Sequence, residues 1–324
     1  MRFTSLPGTE FTPSVICLGT GGYGSSVSQD DAFRMLDLFV ELGGNFVDTA
    51  RVYAAWIPGG EGASERTIGA WLKSRGTASR FIVATKGGHP NLATMNVSRL
   101  SPAEIAADVA ASLAALQVDA IDIYWLHRDD PAIPVGEIVD AVNEQIAAGR
   151  LRAIGASNWT PERIDAANVY AAASGRVGFC ASQIGWSLAR SNPAAIGFGG
   201  ELDMDAPTLA YHRRTSFPVM AYSSQAAGFF AGKAERYCGS AAKDDGFAKR
   251  YVTAENFARL DRARDMAARH GRAANDVALA YLLSQSFPVY ALTGCRNVDQ
   301  VRTSCAAWNL RLSPAEVAFL ESAS

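Results

Sequence analysis

Apolar and polar positions along the chain follow two alternating rhythms. Short, nearly continuous apolar runs recur from one end to the other: "VICLG", "NFVD", "FIVAT", "IDIYWL", "LRAIGA", "GFCASQ", "PVMAY" and "PVYALTG". Runs of this length, bounded by glycine, proline and polar residues, predict strands that are buried on both faces. Longer stretches with apolar residues at three- and four-residue spacing lie between them and predict helices. These include "DDAFRMLDLFVELGG", "ASERTIGAWLKSRG", "SPAEIAADVAASLAALQ", "PVGEIVDAVNEQIAAG", "PERIDAANVYAAASG" and a pair covering 256–285. Several start at Ser or Thr followed by Pro, at Ser101, Thr160 and Ser313, which is an N-cap with proline in the first helical position. The opening "RFTSLPGTEF" predicts a short β-hairpin.

Strict alternation of doubly buried strands with helices implies a parallel sheet. Eight such units favour closure into a (β/α)8 TIM barrel over an open doubly wound sheet. No linker, low-complexity tract or change of composition divides the chain, so residues 1–324 are expected to form a single barrel domain. In such a barrel the chemistry belongs at the C-terminal ends of the strands.

A competing motif sits at the first strand. "LGTGGYG" contains G-x-G-x-x-G at Gly19, Gly21 and Gly24, the dinucleotide-binding fingerprint. That fingerprint needs its third glycine against the first turn of the helix, so that the helix N-terminus faces the phosphates. Here "SSVSQ" intervenes, and Ser28 or Asp30 is the better N-cap. The spacing argues against a Rossmann loop.

The composition narrows the class of function. The chain has 324 residues, 48% of them hydrophobic and 19% charged, with a net charge of −2, so the basic stripe of a nucleic-acid binder is missing. No apolar run is long enough to span a bilayer, which argues against a membrane partner. Cys17, Cys180, Cys238, Cys295 and Cys305 are scattered without C-x-x-C spacing and odd in number. Free thiols in a reducing, cytoplasmic setting are expected, with neither disulfides nor zinc.

The polar residues at the strand ends make sense together. In order they are Gly19-Thr20-Gly21, Asp48 followed by Tyr53, Lys86, His127, Ser157-Asn158, Gln183, Tyr222-Ser223 and Gly294-Cys295-Arg296. A phenol ordinarily titrates near pH 10. A neighbouring ammonium stabilises the phenolate and is expected to lower that value, while a carboxylate keeps the ammonium charged and in place. Histidine beside them can orient a carbonyl oxygen or relay a proton. Reduction of C=O by hydride needs such a set, because charge grows on oxygen while a donor delivers a proton. No second His or Cys stands at ligand spacing from His127, so no metal site is expected.

At these residues the chain resembles the aldo-keto reductases over essentially its whole length. The resemblance is carried by "NFVDTARVY", "GASERTIGAWL", "FIVATKGG", "YWLHRDDPAIPVGEIVDAVNEQIAAGRLRAIGASNW", "ASQIGW", "VMAYSSQAAGFFAGK" and "TGCRNVDQV". It implies a tetrad of Asp48, Tyr53, Lys86 and His127, with Tyr53 as general acid, and an extended NADP(H) held without a Rossmann domain. Ser157, Asn158 and Gln183 would hold the carboxamide, with Tyr222 stacked on the ring. Ser223, Gln225, Gly228 and Lys233 would follow the pyrophosphate; Gly294 borders the next segment, and Arg296 and Gln300 match the 2′-phosphate and adenine end. Gly19, Thr20 and Gly21 would border cofactor and substrate, and Tyr23 and Trp56 would line the substrate pocket. Five residues at three places depart from the family pattern. Ser224 and Gln225 stand where Pro and Leu are usual, Leu292-Thr293 where "IP" is usual, and Ser304 where Asn is common. They leave NAD(H) open beside NADP(H). The substrate would be a small aldehyde, ketone or keto-sugar. The alternatives are an NADP(H)-binding regulatory subunit of a membrane channel with little turnover, and a barrel that binds a sugar or phosphate without a nicotinamide.

Overall fold

Eight parallel strands pair in chain order and the last closes on the first. The structure is a computed structural model that describes residues 1–77, 80–195, 200–238 and 245–322. The strands are β1 (Ile16–Gly19), β2 (Phe46–Asp48), β3 (Ile82–Gly87), β4 (Ile121–Leu126), β5 (Leu151–Ser157), β6 (Ser182–Gly185), β7 (Val219–Tyr222) and β8 (Val289–Thr293). Closure pairs Ile16 with Ala291 and Leu18 with Thr293. The helices covering the outside are α1 (Gln29–Glu41), α2 (Ala63–Arg75), α3 (Pro102–Leu116), α4 (Val135–Ala147), α5 (Pro161–Ala173), α6 (Ala206–Thr215), α7 (Gly246–Tyr251), α8 (Ala254–His270), α9 (Ala274–Leu283), α10 (Val298–Ala306) and α11 (Pro314–Glu321). This is a TIM barrel.

Local chemistry explains the boundaries. Ser28 caps α1, its hydroxyl accepting from the Asp31 N–H. Ser101 and Ser313 form capping boxes with Glu104 and Glu316, and Thr160 caps α5. Glycine 271, at φ 63°, ends α8 and separates it from α9. Strand β6 begins later than the run "GFCASQ" predicts. The Asn168 side chain accepts the Phe179 N–H at 2.7 Å and takes that residue out of the ladder.

The opening segment reverses on itself but forms no regular strand pair: Val15 N–H donates to Arg2 O at 3.0 Å, Thr4 N–H to Pro13 O at 3.1 Å and Leu6 N–H to Phe11 O at 2.9 Å. It makes one isolated antiparallel bridge, Phe3 with Ser14, around a turn closed by Thr9 N–H to Leu6 O. Pro7 and Pro13 have no N–H to extend a ladder. The segment plugs the barrel floor instead: Leu6 and Phe11 pack against the interior residues Cys17, Phe46, Ile82, Ile123, Met220 and Tyr290. Tyr290 donates to the carbonyls of Thr4 or Ser5, which ties the plug down.

The interior is solid below the mouth. Trp125 fills the axis against Gly155, where a Cβ would come within 2.2 Å of the indole ring. A second core lies between strands and helices, built from Leu18, Val47, Val83, Tyr124 and Ile154 with the inner helix faces. No described helix is long and apolar enough to cross a membrane. All five cysteines are free.

Candidate active site

Strand alternation places the polar residues. Side chains two apart on a strand share a face, and each inward apolar residue is followed two positions later by a mouth residue. Cys17 leads to Gly19, Phe46 to Asp48, Ala84 to Lys86 and Trp125 to His127. Ala181 leads likewise to Gln183, Met220 to Tyr222 and Leu292 to Gly294. The interior core therefore ends in a cavity of about 280 Å³ lined by these residues together with Thr20, Gly21, Tyr53, Arg128, Ser157, Asn158, Glu201, Ser223 and Leu292.

A buried ion pair lies at its base. Lys86, 2% exposed, forms a salt bridge with Asp48, 1% exposed. The ammonium also donates to Thr49 O at 2.6 Å and to the Tyr53 hydroxyl at 3.0 Å. Gln183 Nε2 donates to the other Asp48 oxygen at 2.9 Å. Burial disfavours the Lys86 charge, but the carboxylate of Asp48 and then Tyr53 outweigh it and hold the amine above the ordinary lysine value. Burial pushes the Asp48 carboxyl up, against the pull of Lys86 and Gln183.

The Tyr53 phenol departs from the sequence expectation. Its net shift is upward: burial raises it most, Lys86 pulls it down, and Asp48 adds to the rise. The ammonium does act in the expected direction, but desolvation wins, so the phenol is fully protonated at neutral pH. His127 is driven well below the ordinary histidine value by burial first, then by Lys86, His89 and Arg128. It is a neutral imidazole, its ring edge-on to Tyr53 at 6.2 Å, and its Nδ1 has no hydrogen-bond partner among the described residues.

A second polar set forms the opposite wall. Asn158, at φ 62°, donates to His127 O at 3.2 Å and lies 3.1 Å from Ser157 Oγ. Its side-chain oxygen accepts from the Tyr222 hydroxyl at 2.7 Å and from the Leu202 N–H at 3.0 Å. The near wall carries no side chains at Gly19, Gly21 and Gly294. A Cβ at Gly294 would meet nothing within 4 Å, and one at Gly21 only the Tyr53 ring at 3.9 Å. A flat ring can approach this backbone. These features fit a nicotinamide.

Comparison with known proteins agrees with this geometry. A model of the Aldo/keto reductase family matches residues 15–324. The chain belongs to the aldo-keto reductase family. It is 30% identical to the aldo-keto reductase ausK of Emericella nidulans, over 92% of this chain and 73% of that one. It is 29% identical to the norsolorinic acid reductase stcV of the same organism, over 95% of this chain and 77% of that one. An aryl-alcohol dehydrogenase of Pestalotiopsis microspora is 27% identical over 97% of this chain and 80% of its own. The protein is thus an oxidoreductase of a family that generally uses NAD(P)H.

Other residues singled out in this aldo-keto reductase lie outside the cavity. Tyr23 is fully enclosed in the core between strands and helices, with its hydroxyl unpartnered, and so does not line a substrate pocket. Trp56 is 55% exposed on the loop after Tyr53. Gln225 turns away from the mouth, donating to Ser304 Oγ at 3.1 Å and reaching Asn275 at 3.4 Å. Two of the departures from the family pattern, Gln225 and Ser304, are therefore partners. Gly228 has φ 90°, and Lys233 sits 4.0 Å over the Phe247 ring. Arg296 and Gln300 are exposed, and the Gln300 side chain accepts the Arg296 N–H at 2.8 Å. The loop from Gly19 to Ser28 contains Gly24 at φ 73° and no helix until Gln29, so "LGTGGYG" is a strand exit.

Sequence reasoning passed over Arg128, Glu201 and Leu292 as cavity-lining residues, and His89, whose ring packs 4.8 Å from His127. Alternation would turn Arg128 away from the axis, because His127 faces inward. His127 still donates its N–H to Gly87 O at 2.9 Å, one residue past the end of β4, and beyond it the chain leaves the ladder, so the rule no longer applies at Arg128.

Proposed function

We propose that this chain is an NADP(H)-dependent reductase of aldehydes and ketones, built as one barrel domain over residues 1–324. The observation that carries this reading is the Tyr53 hydroxyl 3.0 Å from the Lys86 ammonium, with Asp48 and Gln183 fixed behind it. A nicotinamide held in this cavity would supply hydride to the carbonyl carbon. Tyr53 is the general acid: it stays protonated until negative charge develops on the carbonyl oxygen, then gives up its proton as the phenolate gains the support of Lys86. Lys86 and Asp48 position that proton and stabilise the anion left behind. Neutral His127 orients the carbonyl oxygen beside Tyr53. Oxidation of an alcohol uses the same groups in reverse.

Gln183 offers its unused side-chain oxygen, and Ser157 and Asn158 their polar atoms, to the carboxamide, with the Tyr222 ring as platform. The cavity suits a nicotinamide and a small substrate, and Ser223, Gln225, Gly228 and Lys233 would hold the rest of the cofactor by their backbone and charge. Gly294, Arg296 and Gln300 take the adenosine end, and Arg296 favours the 2′-phosphate of NADP(H) over NAD(H). One relative is named as a norsolorinic acid reductase and another as an aryl-alcohol dehydrogenase, and the second name makes aromatic carbonyls the first substrates to try. Its free thiols suit a reducing cytoplasm. Steady-state NADPH consumption with benzaldehydes, aryl ketones and keto-sugars tests the proposal. Turnover with at least one class is expected. Tight NADPH binding with no consumption across the panel would contradict it.

A further inference from the structure

The guanidinium of Arg128 is buried and underused. Its side chain is 9% exposed and lines the same cavity as Tyr53 and His127. Among the described residues its one hydrogen bond runs from Nη1 to the adjacent His127 carbonyl at 3.1 Å, and Nε has no partner. The nearest carboxylate, Glu201, lies 3.6 Å from Nη2, beyond a direct hydrogen bond. Glu201 is also shared, with Arg250 at 3.9 Å from its other oxygen, and Arg250 leans at 3.3 Å on Asp203.

Removing a guanidinium from water is costly unless its donors are used. Here Nη2 makes no direct hydrogen bond with the described residues, and the side chain lines the cavity where the proposed reaction takes place. A carboxylate is the planar match, because it accepts two parallel N–H bonds. The other cation of the cavity, Lys86, is already taken by Asp48, Thr49 and Tyr53. Glu201 then acts as a loose counter-ion that a substrate carboxylate can replace.

We infer that Arg128 is a specificity-determining residue that selects carbonyl substrates carrying a carboxylate, with Glu201 holding the fork until the substrate arrives. This rests on the reductase reading for its substrate, but its test does not depend on turnover. Tryptophan fluorescence titration in the presence of NADP+, where no hydride can pass to an aldehyde, gives dissociation constants for para-formylbenzoate and para-methylbenzaldehyde. In Arg128→Met the carboxylate should bind at least about tenfold more weakly, with the methyl compound within about threefold of wild type. Equal losses for both compounds, or no loss for either, would overturn the inference. So would a variant that weakens NADP+ alone, since the guanidinium would then serve the cofactor. Glu201→Gln provides a second arm should Arg128→Met fail to fold. Removal of the competing charge should tighten para-formylbenzoate by about threefold or more, and unchanged or weaker binding would count against the assignment. If wild type binds para-formylbenzoate through Arg128 yet reduces neither compound with NADPH, the reductase proposal fails and the binding inference stands.

Discussion

The two sides of the barrel mouth are built from different materials. Asp48, Lys86, Ser157 and Gln183 sit on strands or at their last residues, 1–2% exposed. The Asp48–Lys86–Gln183 set is bonded through, with each side chain positioned by the alternation of a strand whose preceding inward residue is locked in the core. The flank from Ser223 to Lys233 and from Gly294 to Gln300 is loop, short helical turn and the first turn of α10. Ser223, Ala226 and Ala227 there hold φ of 53°, 47° and 51°, a left-handed backbone unfavourable for residues with a Cβ. Its cations are long and partly or fully exposed. Strands thus fix the atoms that need sub-ångström placement, and loops supply backbone shape and charge for a long, forgiving ligand.

The contrast can be broken first at Lys86. Lys86→Met leaves Asp48 buried without its cation and should destabilise the fold by roughly 3–5 kcal/mol, read by urea unfolding, together with loss of turnover. A change as small as that of a surface lysine would mean that the strand-built set is not a coupled unit. The loop-built flank should respond differently. Arg296→Ala should leave unfolding unchanged and lower the NADPH-over-NADH preference by about tenfold to a hundredfold, measured as a ratio of kcat/KM. A smaller effect, a coupling on the order of 1 kcal/mol, is expected between Gln225 and Ser304 in a double-mutant cycle of stability. Zero coupling would mean that their 3.1 Å contact does not join the two flank segments.

The smallest expected effect is on the pH profile. His127 titrates well below 6.5 in the folded chain, so it cannot produce an acid limb near neutrality. The rate should vary by no more than about twofold between roughly pH 6 and 8. For stability the sign follows from proton uptake. The unfolded chain protonates this histidine below its ordinary value and the folded chain does not, so stability from His127 is present above that value and falls as pH drops through it. A His127→Gln variant should flatten that part of the stability curve.

The same contrast sets how much could be read from the sequence. Asp48, Lys86, His127 and Gln183 were legible because a strand end converts sequence position into direction, and the apolar residue two places earlier shows which direction. Tyr23 misled because an aromatic in a strand exit loop has no such reference, and its ring goes into the core between strands and helices. Arg128 was missed for the opposite reason: it follows the strand, and the chain turns before alternation can carry it outward. Gln225 and Ser304 were visible as departures but not as partners, since a contact across 79 positions leaves no local mark. The floor plug was read as a hairpin because turn residues show where a chain reverses, whereas the prolines that stop its ladder act only through bonds they cannot make. The up-shifted Tyr53 phenol needed burial, which spacing does not reveal.

The central claim is that the phenol of Tyr53, held by Lys86, delivers the proton that completes carbonyl reduction. Tyr53→Phe removes one oxygen and leaves the wall of the cavity in place. Single-turnover reduction of an aldehyde that wild type accepts, monitored beside NADPH affinity, should slow by about a hundredfold to ten-thousandfold while the affinity stays within about twofold. A variant that reduces the same aldehyde at near wild-type rate would contradict the account.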